Sequence, residues 1–425
     1  MELQLPRGMR DFPPEEKILR DEVIALLKEV FERYGFSPLE TPIVERWEVL
    51  AAKYAGGEEI LKEAFHLRDQ GERELGLRYD HTVPLARFVG MNPTIKRPFK
   101  RYAIGQNYRD GPIKQGRTRE FYQCDVDTIG IHSPLADAEF ILMALEVFDR
   151  LGFQMEIWVN NRQLLNELAV AAGVPAELTN SAILTLDKLE KIGREAVRSE
   201  LLQKGIKPEH ADRWLEISSI SGGNEKMLQA IRAEIPASQA LEELIELFGY
   251  VPERGPVRFV PSLARGLGYY TGVIFEVKSL VPPLDGSVAG GGRWDSMIGD
   301  FLESDEKYPA VGISFGLEPI FELLKTIRTE SRKTVTQVYV ISIGLKKEGL
   351  EIAQKLRQAG IKTDLDLGGK GISDNLRYAN AYGIPYALLV GKAELQQNKV
   401  KLRDMKSGQE ELLTLEEVIA RLEIQ

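Results

Sequence analysis

The sequence predicts an α+β protein, with a core built on an antiparallel sheet and interrupted by a helical insertion, followed by a C-terminal α/β domain. Three observations predict it. At 425 residues the chain is too long for one ordinary core. Strand-like runs between Leu77 and Ile129 follow one another with no helix between most of them, which antiparallel pairing satisfies most economically. After a polar stretch at 326–334, strand and helix patterns alternate to the C-terminus.

Taken in order, Ile18, Leu19, Val23, Leu26, Leu27, Val30, Phe31 and Tyr34 recur at helical spacing, and Gly35 stands where a left-handed cap is wanted. Pro38 and Pro42 confine any strand between Phe36 and Val44 to an edge or an irregular segment. Strands are expected over Leu77–Val83, Arg101–Tyr108 and Arg119–Ile129, then a helix over Pro134–Leu151. From about 162 to 250 the pattern is helical almost throughout, and strand-like runs resume at Val257. The expected division is therefore a core over 1–325 with an insertion near 162–250, a linker over 326–334 and a second domain over 335–425. In that domain, strands are expected at Val338–Ile343, Lys362–Leu367 and Tyr386–Val390, and helices at Leu350–Gln358 and Asp374–Tyr382. Thr414-Leu-Glu-Glu417 has the form of a capping box that opens the last helix.

The composition, 43% hydrophobic and 28% charged, excludes collagen-like, disordered and coiled-coil readings. No apolar run approaches the roughly 18 residues of a membrane span, and MELQLPRGMRDF lacks the basic start and apolar block of a secretory signal, so a cytoplasmic location is expected. Cys124 is the only cysteine and is expected to be a buried inert thiol. His66, His81, His132 and His210 are scattered, so no protein-held metal is expected. With a formal charge of −9, a nucleic-acid partner would have to be met by a local basic patch.

Side chains two apart on a strand share a face. Read as a strand, RYDHTV puts Arg78, Asp80 and Thr82 on one face. In REFYQCDVDTI, Tyr122, Cys124 and Val126 oppose Gln123, Asp125 and Asp127. In VGISFGLE, Gly312, Ser314 and Gly316 leave one face bare, a platform for something flat. Eight basic residues between Lys96 and Arg119 face one acid, Asp110, so Asp110–Gly116 reads as a hairpin loop carrying phosphate donors or, more simply, as a solvated basic loop. ARGLGYYTG (264–272) and AGGGRWD (289–295) add glycine-bearing elements with Arg265 and Arg293 at their edges. No GxxxxGK[ST] occurs, so a nucleotide would be held by arginines and sheet surface.

These residues resemble a class II aminoacyl-tRNA synthetase, specifically the histidyl-tRNA synthetase family, over essentially the whole chain. FSPLETPIVE resembles the class's first motif, a dimer interface; NYRDGPIKQGRTREFYQCDVD resembles the second and YPAVGISFGLE the third. ARGLGYYTG and AGGGRWD resemble the two histidine-specific motifs, and LRYANAYGIPYALLVGKAEL resembles an anticodon-binding domain. The resemblance implies a homodimeric histidine–tRNA ligase. Its partners would be L-histidine, ATP with Mg2+, and tRNA(His). It places Asp80, Thr82, Gln123, Asp127, Tyr269 and Tyr270 on histidine, and Arg109, Arg117, Arg265 and Arg293 on ATP, with Arg109 and Arg265 at the α-phosphate. Two positions depart from the family pattern: Gly268 replaces an aspartate and Pro319 an adenine-stacking arginine. They carry an alternative, a catalytically silent paralogue such as a regulatory subunit of ATP phosphoribosyltransferase. That subunit usually lacks the C-terminal domain expected here. A plain RNA-binding module would explain the basic loop but neither the carboxylate faces nor the glycine-bearing elements.

Overall fold

The computed structural model describes residues 2–52, 61–113, 116–252, 255–265, 269–280, 286–328 and 332–423. Lys114 and residues 266–268, Gly268 among them, lie outside them. The chain separates into two compact units, one of residues 1–10 and 23–327, the other of 11–22 and 328–425.

In chain order the strands are β1 (Ser37–Pro38), β2 (Val44–Arg46), β3 (His66–Arg68), β4 (Glu74–Leu77), β5 (Phe99–Tyr108), β6 (Glu120–Ile129), β7 (Met155–Asn161), β8 (Val257–Phe259), β9 (Val273–Ser279), β10 (Ser287–Arg293), β11 (Ala310–Gly316), β12 (Val338–Ser342), β13 (Thr363–Leu365), β14 (Tyr386–Val390), β15 (Val400–Asp404) and β16 (Glu410–Leu413). The first unit holds an eight-stranded sheet in the order β1-β5-β6-β11-β10-β9-β7-β8. Its central pairs are all antiparallel, and only β1 with β5 and β7 with β8 run parallel. Pro38 lies in the two-residue edge strand β1, where its missing N–H costs no ladder bond.

One face of this sheet is covered by helices. Phe315 of β11 packs against Phe31 of helix Pro14–Arg33 and Phe148 of helix Pro134–Leu151, with ring centroids 5.6 and 5.9 Å apart. Cys124 and Val126 are fully buried on the same side. The helix Pro134–Leu151 is closed at both ends by its own sequence: the Ser133 hydroxyl accepts from the Leu135 amide, and Gly152 turns left-handed at φ 78°. Among the described residues, seven helices lie between β7 and β8, from Arg162–Ala171 to Gln239–Tyr250. No single described helix is long and apolar enough to cross a membrane.

The strand expected over Leu77–Val83 is corrected. Strand β4 ends at Leu77, and a helix begins at Thr82 and runs to Met91. The Asp80 carboxylate accepts from the Val83 amide at 3.0 Å, so Asp80 holds the first turn of that helix instead of alternating along a strand.

In the second unit β12, β13 and β14 are parallel, and β15 and β16 extend the sheet antiparallel beyond β14. These last two strands, VKLRD and EELL, are charged and half exposed, and so lack the apolar signal that marks the others. The capping box forms in both directions: Thr414 N–H donates to Glu417 Oε2 at 2.7 Å, and Glu417 N–H to Thr414 Oγ1 at 3.3 Å.

Candidate active site

The face of the large sheet away from the helices bears a cleft of about 250 Å3. Strand register builds its floor. On β6 the side chains Gln123, Asp125 and Asp127 form one row. Opposite them on β11 stand Gly316, Ser314 and Gly312, and on β5 stand Gly105, Ala103 and Arg101. Small neighbours on both sides of Gln123 and Asp125, and on the β11 side of Asp127, leave the three polar side chains at the bottom of a trough. Gly312 is required, because a Cβ there would overlap the Asp127 carboxylate.

The floor is acidic around one guanidinium. Arg101 and Asp127, 1% and 5% exposed, meet at 2.7 Å, and Arg101 also donates to the His81 carbonyl at 3.3 Å. Asp80, Asp125 and Asp127 are all buried, and burial pushes each carboxyl above its usual range, in Asp125 to about 7. For Asp125 the neighbouring Arg101 opposes that rise, and the Asp127 and Asp80 charges add to it. Three carboxylates around one arginine suit a substrate that brings positive charge.

The opposite end is cationic. Arg109 holds its place by donating through Nε to the Tyr79 carbonyl at 3.0 Å, and its guanidinium stands 5.1 Å from the centre of the Phe121 ring. Arg265 lies over Gly290 of β10, where any Cβ would collide with its Nη1. Glu276 approaches it to 3.9 Å and the Tyr270 ring to 5.8 Å. Tyr269 and Tyr270 pack ring against ring at 4.7 Å on the cleft wall, and burial raises the Tyr269 hydroxyl well above its usual pKa.

The structure thus gathers Asp80, Thr82, Gln123, Asp127, Tyr269, Tyr270, Arg109 and Arg265 around one cleft. Two arginines expected on ATP take other places. Arg293, 1% exposed, donates to Asp137 at 2.5 Å and to the Ile131 carbonyl at 3.1 Å, so its guanidinium is spent on a buried ion pair. Arg117 pairs with Glu63 at 3.0 Å outside the cleft lining. The basic run around them is largely matched by acids: Lys100 by Glu139 at 2.8 Å, Arg119 by Asp110 at 2.8 Å, and Arg97 by Glu306 at 3.6 Å. Phe121, Asp125, Ser314 and Trp294 also line the cleft without having been assigned there. Strand parity carried a signal for the first three, since Phe121 and Asp125 alternate with Gln123, and Ser314 lies between two glycines. Trp294 had none.

The family model named histidyl-tRNA synthetase matches residues 8–320, and that named anticodon binding domain matches residues 337–424. A histidine–tRNA ligase of Bacillus cereus is 43% identical over 416 residues, covering 96% of this chain and 97% of its own. The crystal structure of histidyl-tRNA synthetase from a Nostoc species superposes with a TM-score of 0.88 at 31% identity, over 99% of both chains. An ATP phosphoribosyltransferase regulatory subunit/histidyl-tRNA synthetase from Bacillus halodurans, 24% identical with a TM-score of 0.75 over 90% of this chain and 97% of its own, shares the fold. The chain belongs to the histidyl-tRNA synthetase family.

Proposed function

We propose that this protein is a histidine–tRNA ligase, which activates L-histidine with ATP and transfers it to the 3' end of tRNA(His). Family membership supports the reading, and the observation that carries it is the polarity of the cleft. One end offers buried carboxylates and Gln123 to an ammonium, and the other offers Arg109 and Arg265 to a phosphate.

In the proposed reaction the histidine carboxylate attacks the α-phosphorus of ATP. A new O–P bond forms as the bond to the bridging oxygen breaks, and pyrophosphate leaves with the electron pair. Charge gathers on the α-phosphate oxygens, where Arg109 and Arg265 are prepositioned to receive it. Asp80 and Thr82, with Gln123 and Asp127 beside them, would hold the ammonium, while Tyr269 and Tyr270 would wall the imidazole. The bare face of Gly312, Ser314 and Gly316, with Phe121 nearby, leaves room for a flat base. The 3'-hydroxyl of tRNA then attacks the histidyl carbonyl; an ester bond forms as the acyl–phosphate bond breaks, the electron pair leaves with AMP, and the hydroxyl proton passes to a phosphate oxygen. Among the described residues no group of three or more His, Cys, Asp or Glu could hold a metal. Mg2+ would accompany the phosphates of ATP, and no step is assigned to it.

Residues 1–325 would act as the catalytic core, 326–334 as a linker and 335–425 as the anticodon-binding domain, in a cytoplasmic homodimer. The second reading, a silent regulatory paralogue, is favoured by Pro319. The match to an anticodon-binding domain at 337–424, together with Arg109 and Arg265 in one cleft, supports the ligase over it. Histidine-dependent exchange of pyrophosphate into ATP, followed by charging of tRNA(His), tests the proposal. Absence of exchange at saturating ATP, Mg2+ and histidine would transfer the assignment to the regulatory reading.

A further inference from the structure

Beneath the cleft a chain of side-chain hydrogen bonds crosses three strands. Asn107 Nδ2 on β5 donates to Gln123 Oε1 on β6 at 2.8 Å, and Gln123 Nε2 donates to Ser314 Oγ on β11 at 2.6 Å. Ser314 stands directly opposite Asp125 in the antiparallel register, on the same face, where its hydroxyl favours the ionised carboxyl. Asp125 is 4% exposed, with Oδ1 lacking a partner. The charged and titratable groups around it are Arg101 on β5, Asp127 on its own strand, and Arg78, Asp80 and the buried His81 from the segment between β4 and the helix Thr82–Met91; Ala103 is its neighbour on β5.

A hydroxyl has one proton to give. An ionised Asp125 can only accept, so Ser314 must spend its proton there and receive a hydrogen bond from Gln123. That requirement fixes the Gln123 amide with Nε2 toward Ser314 and Oε1 toward Asn107, leaving one lone pair of Oε1 for a ligand in the cleft. We propose that Asp125 is a positioning residue for the amino-acid substrate: through Ser314 it locks Gln123 in the orientation that offers a carbonyl oxygen to the substrate's ammonium. This rests on the ligase reading above. When Asp125 is protonated it can donate to Ser314, the chain can reverse, and the Gln123 amide is free to turn its NH2 group to the site. Burial holds the Asp125 carboxyl near 7, which puts this change within reach of ordinary assay conditions.

The test measures histidine-dependent pyrophosphate exchange between pH 6 and 8 for the full-length wild type, Asp125→Asn and Ser314→Ala. In the wild type the KM for histidine should fall about tenfold as pH rises through 7, the size expected for one hydrogen bond to a charged group, while the KM for ATP changes far less. Asp125→Asn cannot titrate and Ser314→Ala cuts the link, so both should lose that step in excess of the change caused by titration of free histidine. Persistence of the step in Ser314→Ala would mean that Asp125 acts on the ligand directly, and its persistence in Asp125→Asn would assign it to another group; either result overturns the proposal. Should Asp125→Asn fail to fold, Ser314→Ala alone decides. Wild-type protein with no exchange at any pH would overturn the ligase reading itself and this inference with it.

Discussion

Arg101 and Asp127 are direct cross-strand partners on β5 and β6, and their side chains meet at 2.7 Å with both almost fully buried. The guanidinium also lowers the cost of keeping Asp125 and Asp80 in the same floor. Arg101→Met should therefore destabilise the fold by about 3–5 kcal/mol, because it leaves buried carboxylates uncompensated instead of removing a pair. Urea unfolding at pH 8 measures this. A loss below about 1 kcal/mol would show that the carboxylates are neutralised without Arg101.

The direction of the pH dependence follows from the raised carboxyls. Asp125, held near 7, and Asp137, held near 6, bind protons more tightly folded than an unfolded aspartate does at about 3.9. Their stabilising protonation is fully present below the unfolded value and is lost as pH rises through about 6 to 7. The urea midpoint should be higher at pH 6 than at pH 8, and Asp125→Asn should narrow that difference. An unchanged difference in the variant would detach Asp125 from it.

Arg109→Ala and Arg265→Ala should each lower histidine activation by about 100- to 1,000-fold with an unaltered circular dichroism spectrum, since each removes a fixed positive charge from the α-phosphate. Gly290→Ala tests the same arginine without touching it. The added methyl occupies the place of Arg265 Nη1, and displacing a catalytic group by about 1 Å can cost on the order of 100-fold. Wild-type exchange in Gly290→Ala would mean that Arg265 works from another position.

Pro319 stands in the first turn of helix Leu317–Ile327, its ring against the place where a Gly316 side chain would begin. Proline offers no cation to an adenine, a contact worth roughly 0.5 to 2 kcal/mol, while Arg109 and Arg265 remain at the reacting phosphorus. Pro319→Arg should leave turnover nearly unchanged and lower the KM for ATP by up to about tenfold. A collapse of activity would instead show that the proline fixes Glu318, whose carboxylate accepts from the Tyr122 amide at 2.9 Å.

The sequence by itself determined the parts whose causes are local. Period-two alternation placed Gln123, Asp125 and Asp127 on one face of β6 and bared Gly312, Ser314 and Gly316 on β11, because successive side chains on a strand must point to opposite sides. The capping box at Thr414 was legible because it too is local, made within four residues. Locality failed at RYDHTV, where β-branched and aromatic content read as strand. There the Asp80 hydrogen bond to Val83, and Pro84 in the first turn that follows, favour a helix start. Only the tertiary structure decided where long cations go. Arg265 and Arg293 both flank glycine-bearing segments, yet Arg265 reaches the cleft across Gly290, and Arg293 is claimed by Asp137, 156 residues away in sequence. A flexible guanidinium takes the carboxylate that folding brings within reach and shields from water, and nothing in its own segment records which one that will be.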